Sequence, residues 1–404
     1  MTAQEPSLAQ GSGVLSARNA VAAVFALNGF AIANWISRIP AIRDELGLRP
    51  AQVGLLLLAL SAGAVLALPS AGAVVQRIGP AQTVRGGGIL GCAGMALVGV
   101  GGGAVGNASI VGVGLFAFGA GSGVWDVAMN VEGADVERRL GRTIMPRFHA
   151  AWSLGTVAGA GTGALAEAVD LSLDVHLAVG AILVVTGVLS AVTWFRPVEP
   201  TPHVDAETER RHPLSAWREP RTLLIGLLVL CAALTEGAAN DWLALGLVDG
   251  YDATRAVGAI GFGVFVAAMT TGRVTGTWLL DRYGRVVVLR TGIGLAIAGL
   301  TAFVFGGSLP MAMFGAVLWG LGASLGFPVG MSAASDDERY AAARVSVVAS
   351  IGYTAFLAGP PLIGLLADQL GILRALLVII GTLVLSLTVT GAARPLRSAP
   401  APRG

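Results

Sequence analysis

The sequence predicts an all-α integral membrane protein, with twelve transmembrane helices divided into two pseudo-symmetric six-helix halves. Three observations lead there. Apolar residues make up 54% of the 404 and charged residues only 12%, about half the charged share of a soluble domain. Apolar runs near the ~20 residues that cross ~30 Å of hydrocarbon recur twelve times. The polar turns between them recur, in the same order, at nearly half the chain length.

Taken in order, the runs cover 18–40, 51–76, 82–104, 108–134, 146–167 and 175–196, then 221–247, 255–280, 286–306, 310–334, 342–367 and 372–393. The stretch ahead of the first, MTAQEPSLAQGSG, lacks the basic start of a cleaved signal peptide, so the first helix is expected to be retained. The 58 glycines lie within apolar runs, where small residues let helix backbones approach closely. The clusters RGGGILG and VGVGGGAVG follow no strand and precede no lysine, so they predict helix packing and not phosphate binding. Between the sixth and seventh runs lies PVEPTPHVDAETERRHPLSAWREP, residues 197–220. Its polar, Pro-rich make-up cannot bury enough apolar area to order itself, which predicts a flexible cytoplasmic linker. The linker would join an N-terminal bundle, 1–196, to a C-terminal bundle, 221–404.

Arginine placement orients the bundle. All 26 basic residues are arginine. With the N-terminus inside, 20 fall in cytoplasmic loops and tails, five lie outside (Arg38, Arg43, Arg49, Arg255 and Arg374), and Arg273 sits within the eighth run. Basic loops face the cytoplasm, so both termini are predicted inside a multi-pass protein of the plasma (cell inner) membrane.

Several function classes drop out. A chain without lysine has neither a P-loop lysine nor a Schiff base. Cys92 and Cys231 lie alone in apolar runs and support neither a disulfide framework nor a zinc site. A net charge of +2 gives no basic face for nucleic acid. No nucleophile–base constellation or metal cluster is in sight, so the chain is read as no enzyme, with no cofactor.

The halves echo each other. GAVVQRIG from Gly72 matches TWLLDRYGR from Thr277, placing Gln76 opposite Asp281 at an offset of 205. ADVERR and SDDERY pair Glu137 with Glu338 at 201, and SLG and SIG pair Ser153 with Ser350 at 197. Same-order repeats imply a pseudo-two-fold along the membrane normal, the parallel-repeat plan of rocker-type secondary transporters.

On these motifs the chain resembles the major facilitator superfamily over essentially its whole length. The family's cytoplasmic signature, a Gly followed by an Asp–basic–x–Gly–basic turn, is split between the copies. The first keeps Gly72, Arg77 and Gly79 with Gln76 at the acid. The second keeps Asp281, Arg282, Gly284 and Arg285 with Thr277 at the glycine. The resemblance implies a gating role for these residues, steadying the outward-open state through charge pairs at helix ends. A narrower resemblance is to the fucose-permease-like branch, which holds sugar–proton symporters. GSGVWDVAMN in the fourth run places an acid at Asp126 and an amide at Asn130. The seventh run spaces Glu236 and Trp242 as that branch does. FHAAWSLG in the fifth run and GASLGFP in the tenth are similar to it. ANWISRIP departs from it, offering Asn34, Trp35 and Arg38 where the branch has an acid.

The residues also speak for themselves. Glu236, Asn240 and Asp241 crowd one face of the seventh helix. Intramembrane carboxylates face the bundle interior or a wet cavity and mark pathways, which favours proton coupling at Glu236 over a structural pair with an arginine such as Arg38. For Asp241, coupling and simple wetting near the outer end weigh equally. Asp126 reads as a coupling or substrate group, with an inner-gate relay to Arg77 or Arg147 as the alternative. Arg273 reads as structural, a partner for Asp281 or another inner acid.

Trp35, Trp125, Trp152 and Trp242 recur beside Asn34, Arg38, Asn130 and Asn240. Rings framed by amide donors and His149 suit a sugar or other polyhydroxylated solute. Packing or interfacial anchoring is the other reading of any one tryptophan, and a structural role that of His149. The expected protein is a monomer in the lipid bilayer. It moves a small polar, sugar-like solute by alternating access and proton symport, through a cavity built from the first, fourth, seventh and tenth helices. A proton-coupled drug or metabolite exporter and a non-transporting membrane sensor remain as alternatives. A greasier cavity would mark the first, an added soluble domain the second.

Overall fold

In a bilayer each backbone N–H and C=O has to be satisfied within its own segment, so a chain this apolar crosses as helix. The computed structural model describes residues 8–140, 144–195, 213–336 and 341–395, and these are helical almost throughout. The first six runs become α1 (Leu8–Ile36), α2 (Ile39–Glu45), α3 (Pro50–Gly99), α4 (Ala108–Leu140), α5 (Met145–Ala168) and α6 (Leu173–Ala191). The others become α7 (Pro220–Tyr251), α8 (Arg255–Tyr283), α9 (Arg285–Phe305), α10 (Leu309–Ala323), α11 (Gly326–Ala334), α12 (Ala341–Leu370), α13 (Ile372–Ala375) and α14 (Leu377–Val389).

Where a run is divided, a local cause is visible. The first ends at Ile36 because Pro40 has no N–H to give the Ile36 carbonyl, and Arg38 leaves the helix at φ −100, ψ 8 before α2. The second and third runs form one continuous α3 with a single non-helical residue inside, Gly79 at φ 81, ψ 160. The tenth run breaks between α10 and α11, four residues ahead of Pro328. Among the described residues eleven helical stretches are long and apolar enough to span a membrane. The fifth run, α5, is not among them, because Gly, Ala, Ser, Thr and His fill much of its 24 residues. It packs along α1 nonetheless.

Residues 197–212 of the expected linker lie outside the described residues, as does Glu338. The last part of the linker is ordered. Pro213–Arg218 form a 3₁₀ helix and Pro220 already opens α7. Glu219 holds this corner, accepting from Arg344 Nε at 2.6 Å and Thr222 Oγ1 at 2.9 Å.

The helices divide into two compact units. The first holds Met1–Pro200, Asn240–Ala267 and Pro360–Ile372; the second holds Thr201–Ala239, Ala268–Gly359 and Leu373–Gly404. Within the first, α1 packs along α5 and α6, and α3 along α4. Within the second, α9 packs along α10 and against α14.

The backbone repeats the sequence echo. Eight described residues have positive φ: Gly47, Gly79, Gly106, Asp170, Asp252, Gly284, Gly307 and Gly371. They form four pairs. Gly47 and Asp252, and Gly79 and Gly284, stand 205 apart; Gly106 and Gly307, and Asp170 and Gly371, stand 201 apart. Each pair closes the corresponding helix of the two halves, where a left-handed residue satisfies the last carbonyls. The close crossings repeat as well. A Cβ on Gly94 would lie 2.5 Å from Gly114 O, and a Cβ on Gly299 2.6 Å from Gly315 O. Only glycine allows those backbones to meet, in α3 against α4 and again in α9 against α10.

Candidate functional site

In the first unit α1, α4 and α5 bring a polar strip together. A Cβ on Gly155 would lie 1.9 Å from Ala26 O, and one on Gly29 2.1 Å from Trp152 O, so α1 and α5 touch backbone to backbone. That contact seats Trp152 over Asn28. The indole Nε1 donates to Asn28 Oδ1 at 3.0 Å, and Asn28 Nδ2 lies 3.5 Å from Ser122 Oγ on α4. One turn on from Ser122 is Asp126, which is exposed, and one turn further is Asn130. Asn130 Nδ2 donates to the Asp126 carbonyl at 2.8 Å and sits 3.4 Å from its Oδ1. His149, exposed on α5 one turn before Trp152, meets the Phe25 ring edge-on at 5.3 Å between centroids. Neither Arg77 nor Arg147 pairs with Asp126 among the described residues.

Asn34 and Arg38 belong to a different neighbourhood, a buried seam where α1 meets α5 and α6. Asn34 is 1% exposed. Its Nδ2 donates to Thr162 Oγ1 at 3.0 Å and lies 3.3 Å from His176 Nε2. A Cβ on Gly180 would meet Asn34 Oδ1 at 2.6 Å, so the amide fits a notch of α6 that glycine leaves open. Arg38 donates from Nη2 to Leu171 O at 3.0 Å, and its Nε stands 2.9 Å from Glu167 Oε1. The Nε–carboxylate contact is close but not aligned as a hydrogen bond, so it acts mainly through charge. Arg255 reaches the other Glu167 oxygen at 3.5 Å. Asp44 accepts from Arg43 Nε at 2.8 Å, and Arg43 also pairs with Asp249. Arg49 stands 3.5 Å from Asp368. All of these residues lie in the first unit.

Three of the four expected tryptophans are packed away. Trp35, Trp125 and Trp242 are 1%, 2% and 0% exposed, and each indole N–H is buried without a hydrogen-bond partner. Trp35 stacks edge-on with Phe118 at 6.0 Å and lines a small apolar pocket with Ile39, Val53 and Leu115. Trp152 alone of the four is half-buried with its N–H satisfied.

In the second unit Glu236 finds an arginine, and that arginine is Arg273, not Arg38. Arg273 Nη2 donates to both Glu236 oxygens, at 3.1 and 3.0 Å. Of the acids expected for Arg273, Asp281 is therefore not the one it pairs with. Its Nε lies 3.4 Å from Ser324 O, at the break between α10 and α11. The residue that would donate to Ser324 O in a continuous helix is Pro328, which has no N–H. The GASLGFP motif therefore frees a carbonyl beside the ion pair. Asn240 and Asp241, which belong to the first unit, are partly exposed on α7, and no described residue pairs with Asp241.

Of the residues at the helix ends, Gly72, Arg77, Asp281 and Arg282 are exposed. Gly79 and Gly284 are the left-handed turns of the two copies. Arg282 lies over the Tyr283 ring at 5.7 Å. Arg285 is the most engaged, pairing with Asp336 at 2.7 Å, while Arg221 takes the other Asp336 oxygen at 2.8 Å. In the first unit Glu137 caps α5 by accepting from the Ile144 and Met145 N–H groups, each at 2.7 Å. Among the described residues no three His, Cys, Asp or Glu side chains converge as a metal site requires.

Asn28, Ser122, Thr162, Glu167 and His176 are among the polar residues of these clusters that the sequence alone does not single out. Each is a lone polar residue in or beside an apolar run, and only its tertiary neighbours distinguish it from a residue facing water.

Comparison with known proteins gives a consistent picture. A sequence profile of the Major Facilitator Superfamily matches residues 21–336 and 225–404. The uncharacterized transporter y4wD of Sinorhizobium fredii is 32% identical over 355 residues, covering 86% of this chain and 90% of its own length. The solved structure of a point mutant of the nucleoside transporter NupG aligns with a TM-score of 0.75 at 15% identity, over 94% of this chain and 99% of that one. That of the E. coli fucose:proton symporter FucP aligns with a TM-score of 0.61 at 19% identity, over 94% and 98%.

Proposed function

Because this chain belongs to the Major Facilitator Superfamily, we propose that it is a proton-coupled secondary transporter moving a small polar, sugar-like solute by alternating access. Its two six-helix halves, 1–196 and 221–404, are joined by a cytoplasmic linker. Both termini face the cytoplasm, and the working unit is a monomer in the plasma membrane. The fucose-permease-like motifs support a place in that branch.

One observation carries the coupling. Asp126 lies in the fourth membrane helix and Glu236 and Asp241 in the seventh, and of these three it is Glu236 that pairs with an arginine. Asp126 and Asp241 have no arginine partner among the described residues. A charge at that depth is costly without one, and a proton removes it. Asp126 and Asp241 are accordingly assigned to proton binding, and Glu236 to a role that Arg273 tunes. The solute takes Trp152, His149 and Asn130 as its first contacts, with Asn240 contributing from α7. Asn34, Trp35, Arg38, Trp125 and Trp242, all buried, hold together the helices that carry these contacts. The pairs of Arg43, Arg49 and Arg255 lie at helix ends that the arginine distribution puts outside. They are the contacts that part when the external side opens.

The test is a thermal-shift screen of purified full-length protein against neutral sugars, sugar acids and apolar drugs, followed by counterflow in proteoliposomes. Stabilisation by neutral sugars together with their counterflow is expected. Stabilisation by apolar drugs alone would favour an exporter, and binding without flux a sensor.

A further inference from the structure

We infer that Asn28 is a positioning residue: it pins the Trp152 indole so that the ring forms a stacking wall for a ring-shaped solute. The solute class rests on the transporter reading above; the pinning does not. Asn28 is 2% exposed, so both ends of its side chain have to find protein partners. An indole N–H can only donate, which fixes the Asn28 oxygen toward Trp152 and its nitrogen toward Ser122, as the 3.0 and 3.5 Å contacts require.

The same bond fixes the indole. Trp35, Trp125 and Trp242 are held by packing alone, with no partner for their nitrogen and no open face. Trp152 is held at its one polar atom and leaves part of its ring uncovered. Its neighbour across α5 is His149, and the helix across from Asn28 carries Ser122 and, one turn on, Asp126. The pinned indole thus belongs to the same polar strip as Ser122, Asp126 and His149. Helix cohesion needs none of this, because the Gly29 and Gly155 crossings already bring α1 and α5 into backbone contact.

A pinned aromatic face within a polar strip selects for solutes that have both a flat apolar face and polar edges. Pyranoses and nucleosides have both. Acyclic alditols have the hydroxyls but no face to stack.

The experiment uses the full-length protein in detergent, with Asn28→Leu, Asn28→Gln, Trp152→Phe and the double variant Asn28→Leu/Trp152→Phe. Trp152→Phe isolates the Trp152 part of the emission by difference. Asn28→Leu should shift that emission and change its quenching by iodide, and the same substitution in the Trp152→Phe background should change nothing. Binding is then titrated with methyl β-D-galactopyranoside, uridine and galactitol. At least one ring probe should bind and galactitol should not; which ring binds separates sugar from nucleoside. Asn28→Leu and Trp152→Phe should each weaken ring binding roughly three- to tenfold. The double variant should be no weaker than Trp152→Phe, and Asn28→Gln should recover part of the loss. Unaltered Trp152 emission in Asn28→Leu would overturn the pinning, as would additive losses. If the emission responds but galactitol binds as tightly as the rings, or no ring probe binds, the stacking wall is wrong. Counterflow of another polar solute would in that case leave the transporter reading standing.

Discussion

Arg38 and Arg255 reach the same carboxylate, Glu167, from 2.9 and 3.5 Å, but Arg38 is 3% exposed and Arg255 39%. Removing one member of a buried pair strands the other charge and costs about 3–5 kcal/mol. An exposed pair is worth well under about 1 kcal/mol. Glu167→Gln should therefore lower thermal stability steeply and Arg255→Gln hardly at all; equal losses would refute the division. None of this was legible along the chain. Arg38 and Asn34 were expected to touch solute because they share a helix face with each other and a tryptophan. Their real partners, Glu167, Thr162 and His176, come from α5 and α6, and no local spacing reveals that register. Along the chain Arg273 reads as a partner for Asp281 or another inner acid, and it pairs with Glu236: neighbours along one helix are visible in sequence, whereas the height at which α7 passes α8 is not. Glu236 was legible, because an acid deep in an apolar run is conspicuous wherever its partner lies.

Between elements, glycine decides how close the helices come. Gly94 faces the backbone of Gly114 and Phe118, while a Cβ on Gly86, two turns earlier on α3, would meet nothing within 4 Å. Gly94→Ala should cost about 1–3 kcal/mol through overpacking, seen as a lower melting temperature and poorer monodispersity, and Gly86→Ala should be neutral. Because the repeat sets Gly299 against Gly315 in the same way, Gly299→Ala should match Gly94→Ala. Equal tolerance at Gly86 and Gly94 would deny the close crossing. At this scale the sequence was informative. The glycine-mediated packing and the offsets of 205 and 201 reappear in the backbone. The division of the tenth run was less plain, since Pro328 announces a lost donor without saying which group takes the freed carbonyl. The order in Pro213–Arg218 was missed because it depends on Glu219 meeting Arg344, 125 residues away.

For the whole chain, the proposed reading is secondary transport by two halves in parallel repeat, driven by gradients. The central claim is that intramembrane carboxylates without counter-charges, at Asp126 and Asp241, together with Glu236 under Arg273, link solute movement to protons. One pH unit is worth ~1.4 kcal/mol, about tenfold accumulation for one proton per solute. The direct measurement is uptake, into proteoliposomes with an imposed pH difference, of the solute identified by thermal shift. Wild type is compared with Asp126→Asn, Glu236→Gln and Asp241→Asn, which keep shape and hydrogen-bonding capacity while removing titration. Wild type should concentrate the solute, and at least one variant should still bind and exchange it yet reach only the level of equilibration. If all three neutral variants still concentrate solute against its gradient as wild type does, the carboxylates are structural and the coupling proposed here is wrong.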